Sequence, residues 1–178
     1  MVQKFGTVVG PEALADRAAI EDIIHLHCRG VDRADEAALK HCYWIDATTA
    51  YGETASPAHE FCESLPDAIK AFAQTHHQVS NILIDLAEDH GSAMVESLLI
   101  ACHYSASVDG EDREMTYLGR YLDRFEKRGN QWKISYRQPV MSWSQNAAAS
   151  HDGAHPALAA LTMAGRYPED PVYQQTGR

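Results

Sequence analysis

The stretch REMTYLGRYLDRFEKRGNQWKISYRQPVM, residues 113–141, contains two long runs of β-compatible residues on either side of a turn-forming KRGN sequence. Residues 113–126 and 131–141 are therefore predicted to be the strands of a β-hairpin. Trp132, Ile134 and Tyr136 alternate along the second strand, so they are expected on one face.

Two more long strands are predicted upstream of this hairpin, at residues 77–87 and 92–108. The turn-like runs Glu88-Asp89-His90-Gly91 and Asp109-Gly110-Glu111-Asp112 would join them into one antiparallel meander. The second half of the chain is thus predicted to be a four-stranded sheet.

Helical patterns occupy the first part of the chain. Residues 11–31 place Ile20, Ile23, Ile24, His27 and Val31 on one stripe at helical spacing, with Pro11 suited to the first turn. A shorter helix is predicted at 35–43, an extended segment at 44–51, a loop at 52–66, and a helix from the N-cap Asp67 to Thr75. Helices followed by a meander predict an α+β fold in which a curved sheet wraps over the helices and leaves a cone-shaped pocket.

The length of 178 residues, with 45% hydrophobic and 22% charged residues, is typical of one soluble globular domain. We assign that domain to residues 1–145. Residues 146–178 contain proline and glycine after an alanine-rich run, and are expected to drape over the body or to be partly disordered.

Composition argues against several classes of partner. The net charge of −10 without a basic run argues against nucleic acid, and no apolar run approaches the roughly 18 residues of a membrane helix. Cys28, Cys42, Cys62 and Cys102 lack Cys-x-x-Cys spacing, and no secretory pattern opens the chain. We therefore expect a cytoplasmic protein whose cysteines are small core residues.

Asp32 and His77 are the strongest candidates for chemistry. Asp32 ends the first helix beside its apolar stripe, and His77 lies where a strand pattern begins. A carboxylate that orients an imidazole makes a general base without metal or cofactor. The alternative interpretations are a helix-capping aspartate and a strand-end histidine with one hydrogen bond.

His76 is the immediate rival of His77, but neighbours on a strand face opposite ways, so only one of them enters a pocket. The spacing from His77 to Asn81 puts these two on the same face, and this favours His77. The pairs His25 with His27 and His76 with His77 diverge too far to chelate one ion, so no metal is expected.

From about Leu14 to Trp143 the chain resembles the SnoaL-like branch of the nuclear transport factor 2-like superfamily. The resemblance rests on the order of five motifs: Asp16-Arg17-Ala18-Ala19-Ile20, Gly30-Val31-Asp32, His77-x-x-x-Asn81, Gly119-Arg120-Tyr121-Leu122-Asp123-Arg124 and Trp132-Lys133-Ile134. It implies a cystatin-like α+β barrel. It also implies similarity to scytalone dehydratases, hexachlorocyclohexane dehydrochlorinases and bile acid dehydratases, which are cofactor-free lyases with an Asp-His pair.

The same resemblance implies further site residues. Asp32 and His77 match the Asp-His pair, Arg137 matches an active-site arginine, His27 stands where the dehydrochlorinase has a pocket lysine, and Tyr51 is a loose counterpart of a pocket tyrosine. Arg137 and Asn81 would stabilise an anion, and Tyr51 is a candidate acid for a departing hydroxyl. Tyr104, Tyr117 and Trp143 are candidate aromatic walls, and Ile24 and Val79 are expected beside them.

The function predicted is a dehydratase-type elimination on an aromatic or polycyclic metabolite in aromatic-compound catabolism, by a protein that forms a homodimer or homotrimer. A lyase that releases formaldehyde from a lignin-derived diaryl compound and a ketosteroid-type isomerase need the same base, so they remain alternatives. A non-catalytic ligand-binding role, like that of dioxygenase β subunits, is the alternative from another class.

Overall fold

Helices precede a run of long strands, as the sequence predicts. The computed structural model describes residues 5–106, 111–150, 156–158 and 160–175. Within them the helices are α1 (Pro11–Arg33), α2 (Glu36–Cys42), α3 (Ala58–Lys70) and α4 (Pro171–Gln175). The strands are β1 (Tyr43–Thr49), β2 (Ser56–Pro57), β3 (Gln74–Leu86), β4 (Ser92–Ser105), β5 (Arg113–Arg128) and β6 (Gln131–Ala148).

The six strands form one curved sheet in the order β2-β1-β6-β5-β4-β3, with the N-terminal helices packed against it. The predicted α+β class is confirmed. The sheet is mixed rather than wholly antiparallel because β1 pairs in parallel with β6, and it does not close into a barrel. No hairpin joins β1 to β6, so no tight turn imposes antiparallel pairing on them.

The predicted meander is present as β3 to β6, which pair antiparallel in sequence order. Its hairpin turns at Gly129, whose φ of 63° suits glycine. β6 runs to Ala148, beyond the predicted strand end and the predicted domain end at 145. Part of the predicted turn at 109–112 and the predicted end of the strand at 108 lie outside the described residues.

The hydrophobic core lies between α1 and the concave face of the sheet. Ile20 and Ile24 of α1 pack with Leu39, Phe125 and Ile134, and all five are fully buried. Cys28, Cys42 and Cys62 are buried as predicted, whereas Cys102 is exposed. No helix of the described residues is long and apolar enough to cross a membrane.

The predicted loop at 52–66 is wrong from residue 58 onward, and the helix predicted from Asp67 to Thr75 begins and ends too late. α3 instead runs from Ala58 to Lys70 and contains Pro66 in its interior. Cys62, Pro66 and Ile69 recur at helical spacing and are buried against the core. Their burial outweighs the backbone hydrogen bond that Pro66 cannot donate.

Extra residues in β3 and β6 change which side chains face inward. Ile134 pairs with Phe125 and Tyr136 with Arg124, so Ser135 is an extra residue in β6. Tyr136 is thereby turned away from the face of Ile134, contrary to the prediction, and Arg137 takes that face. Asn81 lies at a similar shift in β3 with φ 48° and is exposed, so it does not share a pocket-facing side with His77.

Candidate active site

Asp32 and His77 meet where the end of α1 passes over the start of β3. Oδ1 of Asp32 lies 2.8 Å from Nδ1 of His77, and Oδ2 accepts the backbone N–H of His77 at 2.8 Å. Each side chain is 9% exposed. The predicted hydrogen bond between the two side chains is therefore present. The bond from the backbone N–H of His77 also holds the start of β3 against Asp32.

This hydrogen bond sets the tautomer of His77. The carboxylate of Asp32 accepts a hydrogen bond from the Nδ1–H, so in the neutral ring Nε2 carries no proton and can accept one. His76 is exposed on the opposite face of β3, which removes it as the rival base. The arrangement has the form of an oriented general base.

The His77 ring borders a cavity of about 260 Å³ between the helices and the sheet. Its walls are mostly apolar and comprise Val31, Phe61, Leu65, Ile69, Leu99, Ala101 and Pro139. Its polar or aromatic members are Tyr51, His77, His103, Tyr117 and Tyr121. An apolar chamber with a few polar groups is typical of a small-molecule site.

Tyr51 and Tyr121 place phenol groups beside this cavity. Tyr51 stacks on Phe61 with ring centroids 4.2 Å apart. Burial raises the pKa of Tyr51, although the nearby Arg137 cation opposes the rise, and burial raises the pKa of Tyr121 well above its ordinary value. Both phenols therefore keep their protons near neutral pH. Their hydroxyls hydrogen-bond each other, and Arg137 hydrogen-bonds Tyr51, so one of the two O–H groups is left to donate into the cavity.

His103 is a site residue that the sequence analysis missed. Its ring centroid lies 5.2 Å from that of His77 and 5.7 Å from that of Tyr117, and within the described part of the chain its Nδ1 has no hydrogen-bond partner. It faces inward because it pairs with Thr75, two residues before His77. Only the pairing register of β3 with β4 reveals this placement.

Burial, and then the nearby His77, lowers the pKa of His103 from 6.5 to about 4. Between these two pH values the unfolded chain binds a proton that folded His103 does not, so this group makes stability fall as pH falls. We expect the loss of unfolding free energy from about pH 7 to about pH 5 to be smaller in His103→Gln than in the wild type. Urea unfolding at both pH values measures this, and equal losses in the two proteins would contradict it.

Arg137 does not border the cavity, contrary to the expectation that its cation faces the pocket. Its Nε and Nη2 donate to the two carboxylate oxygens of Asp123 at 2.8 and 2.7 Å, and both side chains are fully buried. The guanidinium carbon lies 4.0 Å from the centroid of the Tyr121 ring. Arg137 thus lies behind the wall, and its charge reaches the cavity through the tyrosines.

His27 also lies behind the cavity wall. It is fully buried, its Nε2 is 3.0 Å from the hydroxyl of Tyr43, and its ring packs edge-on against Tyr121. Burial, with the Arg137 and His77 charges, lowers the pKa of His27 well below its ordinary value. His27 is therefore a neutral support for the wall rather than a substrate-binding residue.

Four other expected pocket residues lie elsewhere. Tyr104 follows the inward His103 on β4, so it faces outward, where its hydroxyl donates to Asp112. Trp143 pairs with Leu118, the neighbour of the inward Tyr117, and is half exposed. Ile24 and Val79 pack in the hydrophobic core instead of lining the cavity.

Among the described residues, one group of possible metal ligands lies close together: Glu12, Asp16 and His90. Asp16 already accepts hydrogen bonds from Trp132 at 2.7 Å, from His90 at 2.8 Å and pairs with Lys127 at 2.8 Å. Its oxygens are thus occupied by protein donors. We therefore interpret this group as a structural network that connects α1 to the sheet.

Comparison with known proteins identifies related folds. A family model for the SnoaL-like domain matches residues 12–138. A candidate scytalone dehydratase from Novosphingobium aromaticivorans superposes with a TM-score of 0.66 at 22% identity, covering 77% of this chain and 91% of that one. Hexachlorocyclohexane dehydrochlorinase LinA type 2 gives a TM-score of 0.68 at 22% identity, covering 78% and 93%.

A further structure with a similar fold belongs to a different class of protein. The β subunit of a candidate aromatic-ring-hydroxylating dioxygenase from N. aromaticivorans gives a TM-score of 0.57 at 17% identity, covering 74% of this chain and 92% of that one. Comparison with curated proteins gives no match. At these identities the structural likeness establishes the fold, and the chemistry has to be argued from the site.

Proposed function

The chain belongs to the SnoaL-like domain family, and from that premise we propose that it is a cofactor-independent lyase for a small aromatic compound. One observation carries the proposal: Asp32 holds His77 by two hydrogen bonds of 2.8 Å at the wall of an apolar cavity. The comparisons with a candidate scytalone dehydratase and with LinA are consistent with it.

In the first step, Nε2 of His77 takes a proton from an acidic C–H or phenolic O–H of the substrate. Asp32 stabilises the imidazolium that forms, because its carboxylate accepts the hydrogen bond of the Nδ1–H. The walls of the cavity are mostly apolar, so charge interactions at its surface are stronger than in bulk water.

In the second step, the electron pair left on the substrate expels a hydroxyl group. The proton held on Nε2 passes to the departing oxygen, so water leaves and neutral His77 is restored. Negative charge on a substrate oxygen is stabilised by the hydrogen-bonded pair of phenols, Tyr51 and Tyr121, which remain protonated and keep one O–H for the substrate. The cation of Arg137 beneath Tyr121 favours the same charge at longer range.

The size of the cavity supports a substrate of one or two rings. Its volume is about 260 Å³, whereas an engineered cavity of about 150 Å³ in another protein holds benzene. A bicyclic aromatic is therefore a better match than a four-ring steroid. Tyr117 and His103 place aromatic edges where they would contact a flat ring.

A substrate screen tests the proposed reaction. Purified protein is incubated with hydroxylated one- and two-ring aromatics, and products are followed by absorbance and mass spectrometry. We expect at least one compound to lose the mass of water in a His77-dependent reaction. Release of formaldehyde or an unchanged mass would identify the two alternative reactions, and binding without turnover would identify a ligand-binding protein.

A further inference from the structure

The C-terminal segment, residues 164–173, lies across the junction of α1 and β3 that carries the Asp-His pair. We propose that Arg166 of this segment is a positioning residue for Asp32 and His77. This inference rests on the proposed function. The segment lies after residue 138, where the match to the SnoaL-like family model ends, so it is a feature of this chain outside that match.

Arg166 connects three backbone elements at the site. Its Nη1 donates to the main-chain oxygen of Asp32 and to Oγ1 of Thr75 at 3.0 Å. Its Nη2 donates to the main-chain oxygen of Phe72 at 3.2 Å. Thr75 is two residues before His77 on β3, and Phe72 packs on the ring of His103.

The contact with Asp32 completes the end of α1. The last four carbonyls of a helix have no partner within it. Gly30 and Val31 are satisfied by the backbone N–H groups of residues 35 and 34, whereas Asp32 and Arg33 are satisfied by Arg166 and by the N–H of Tyr167. A guanidinium at this position also interacts favourably with the negative end of the helix dipole.

The segment is anchored independently of Arg166. Asp170 forms an ion pair with Arg33 at 2.9 Å and accepts the backbone N–H of Gly165 at 2.9 Å. The hydroxyl of Tyr173 donates to Asp35 at 2.7 Å. These contacts hold the backbone on both sides of Arg166. The guanidinium of Arg166 therefore joins the last turn of α1 to the start of β3 from a fixed backbone position.

A bridge of this kind helps to determine the geometry of the pair, because Asp32 and His77 belong to different elements, the end of α1 and the start of β3. If the bridge is removed, the carboxylate and the imidazole can separate while both elements remain folded. Displacements of about 1 Å at a reacting group can cost on the order of 10²-fold in rate. Arg166 therefore acts through Asp32 and His77 and does not contact the substrate.

The test measures the His77 ring by ¹⁵N nuclear magnetic resonance in the full chain without ligand. The His77 signals are assigned by their loss in His77→Ala. In the wild type we expect two well-separated ring nitrogens, as for a single Nδ1–H tautomer. In Arg166→Ala the separation should shrink because both tautomers become populated, Arg166→Lys should restore part of it, and Arg120→Ala, on the outer face of the sheet, should leave it unchanged.

Thr75→Val is the second variant, because it keeps the volume of Thr75 and removes only one end of the bridge. Thr75→Val should shift the same His77 signals. It provides the test if Arg166→Ala fails to fold. A wild-type His77 spectrum in Arg166→Ala, or in Thr75→Val when Arg166→Ala does not fold, overturns the inference.

This measurement is independent of turnover. If no substrate is found, the proposed function fails while the spectrum still decides the role of Arg166. With an active substrate, kcat in Arg166→Ala should fall by about tenfold to 10²-fold with KM little changed.

Discussion

Turnover of the substrate identified by screening is expected to fall by about 10²- to 10⁴-fold in His77→Ala, the scale of general-base catalysis. The variant removes Nε2, the ring nitrogen that carries no proton while Asp32 holds Nδ1, from a residue that lines the cavity. The measurement is kcat/KM at neutral pH with wild type and variant of equal purity. Without the imidazole, only binding and the donor groups of the cavity remain.

His76→Ala is the matched control, because it removes a neighbouring imidazole that is exposed on the other face of β3. It should retain wild-type activity. His77→Gln keeps more of the side-chain volume, so a comparable loss in that variant separates the missing base from a packing defect. Activity retained in both His77 variants would show that His77 is not the base.

The faces on which Asp32 and His77 lie were predictable from local patterns, whereas their pairing was implied by the resemblance to the SnoaL-like family; the shared face of His77 and Asn81, which favoured His77 over His76, is not present. Helical spacing places Asp32 beside the apolar stripe of α1, and the alternation of a strand separates His77 from His76. Each pattern covers only a few residues, and no extra residue falls within it. The hydrogen bond between the two side chains follows once α1 packs on the start of β3.

The positions of Asn81 and Arg137 were less predictable because each lies at or after an extra residue in a strand. Asn81 has φ 48° at the shift in β3, and Ser135 shifts β6 two residues before Arg137. One extra residue moves all later side chains of a strand to the other face. The alternation of polar and apolar residues does not reveal where such a residue is accommodated.

His103 and Arg166 were missed for another reason: their importance comes from contacts between distant parts of the chain. His103 reaches His77 through the register of β3 and β4, and Arg166 reaches Asp32 across 134 positions of sequence. Neither belongs to a motif. The prediction for α3 failed for the same reason. Pro57 and Pro66 indicate breaks in helical structure, but burial of Cys62 and Ile69 against the core stabilises the helix across Pro66.

Asp32→Asn is expected to lower kcat by about 10²- to 10⁴-fold while the protein stays folded. An asparagine can still accept the backbone N–H of His77 through its carbonyl oxygen, which preserves the junction of α1 and β3. Its NH₂ group, however, can donate to Nδ1 of His77. That bond favours the tautomer with the proton on Nε2, which cannot accept a proton from the substrate.

Asp35→Asn is the control for this change, because it makes the same substitution three residues away. Asp35 caps α2 by accepting the N–H of Ala38 at 2.9 Å, and asparagine is an equally good helix cap. The NH₂ group of asparagine can donate to the oxygen of Tyr173, so a hydrogen bond to this anchor of the C-terminal segment is retained. Circular dichroism should show folded protein for both variants, while only Asp32→Asn should lose activity. Similar losses in both would indicate a general effect of charge near the end of α1.

The double variant decides whether Asp32 acts through His77. If Asp32 serves only to orient and stabilise the imidazole, Asp32→Asn should add little to the loss already caused by His77→Ala, because residues that act as a unit are strongly non-additive. The comparison uses residual kcat/KM in the single and double variants with the same substrate. A further loss in the double variant as large as that in Asp32→Asn alone would show that Asp32 acts independently of His77, contrary to the proposed mechanism.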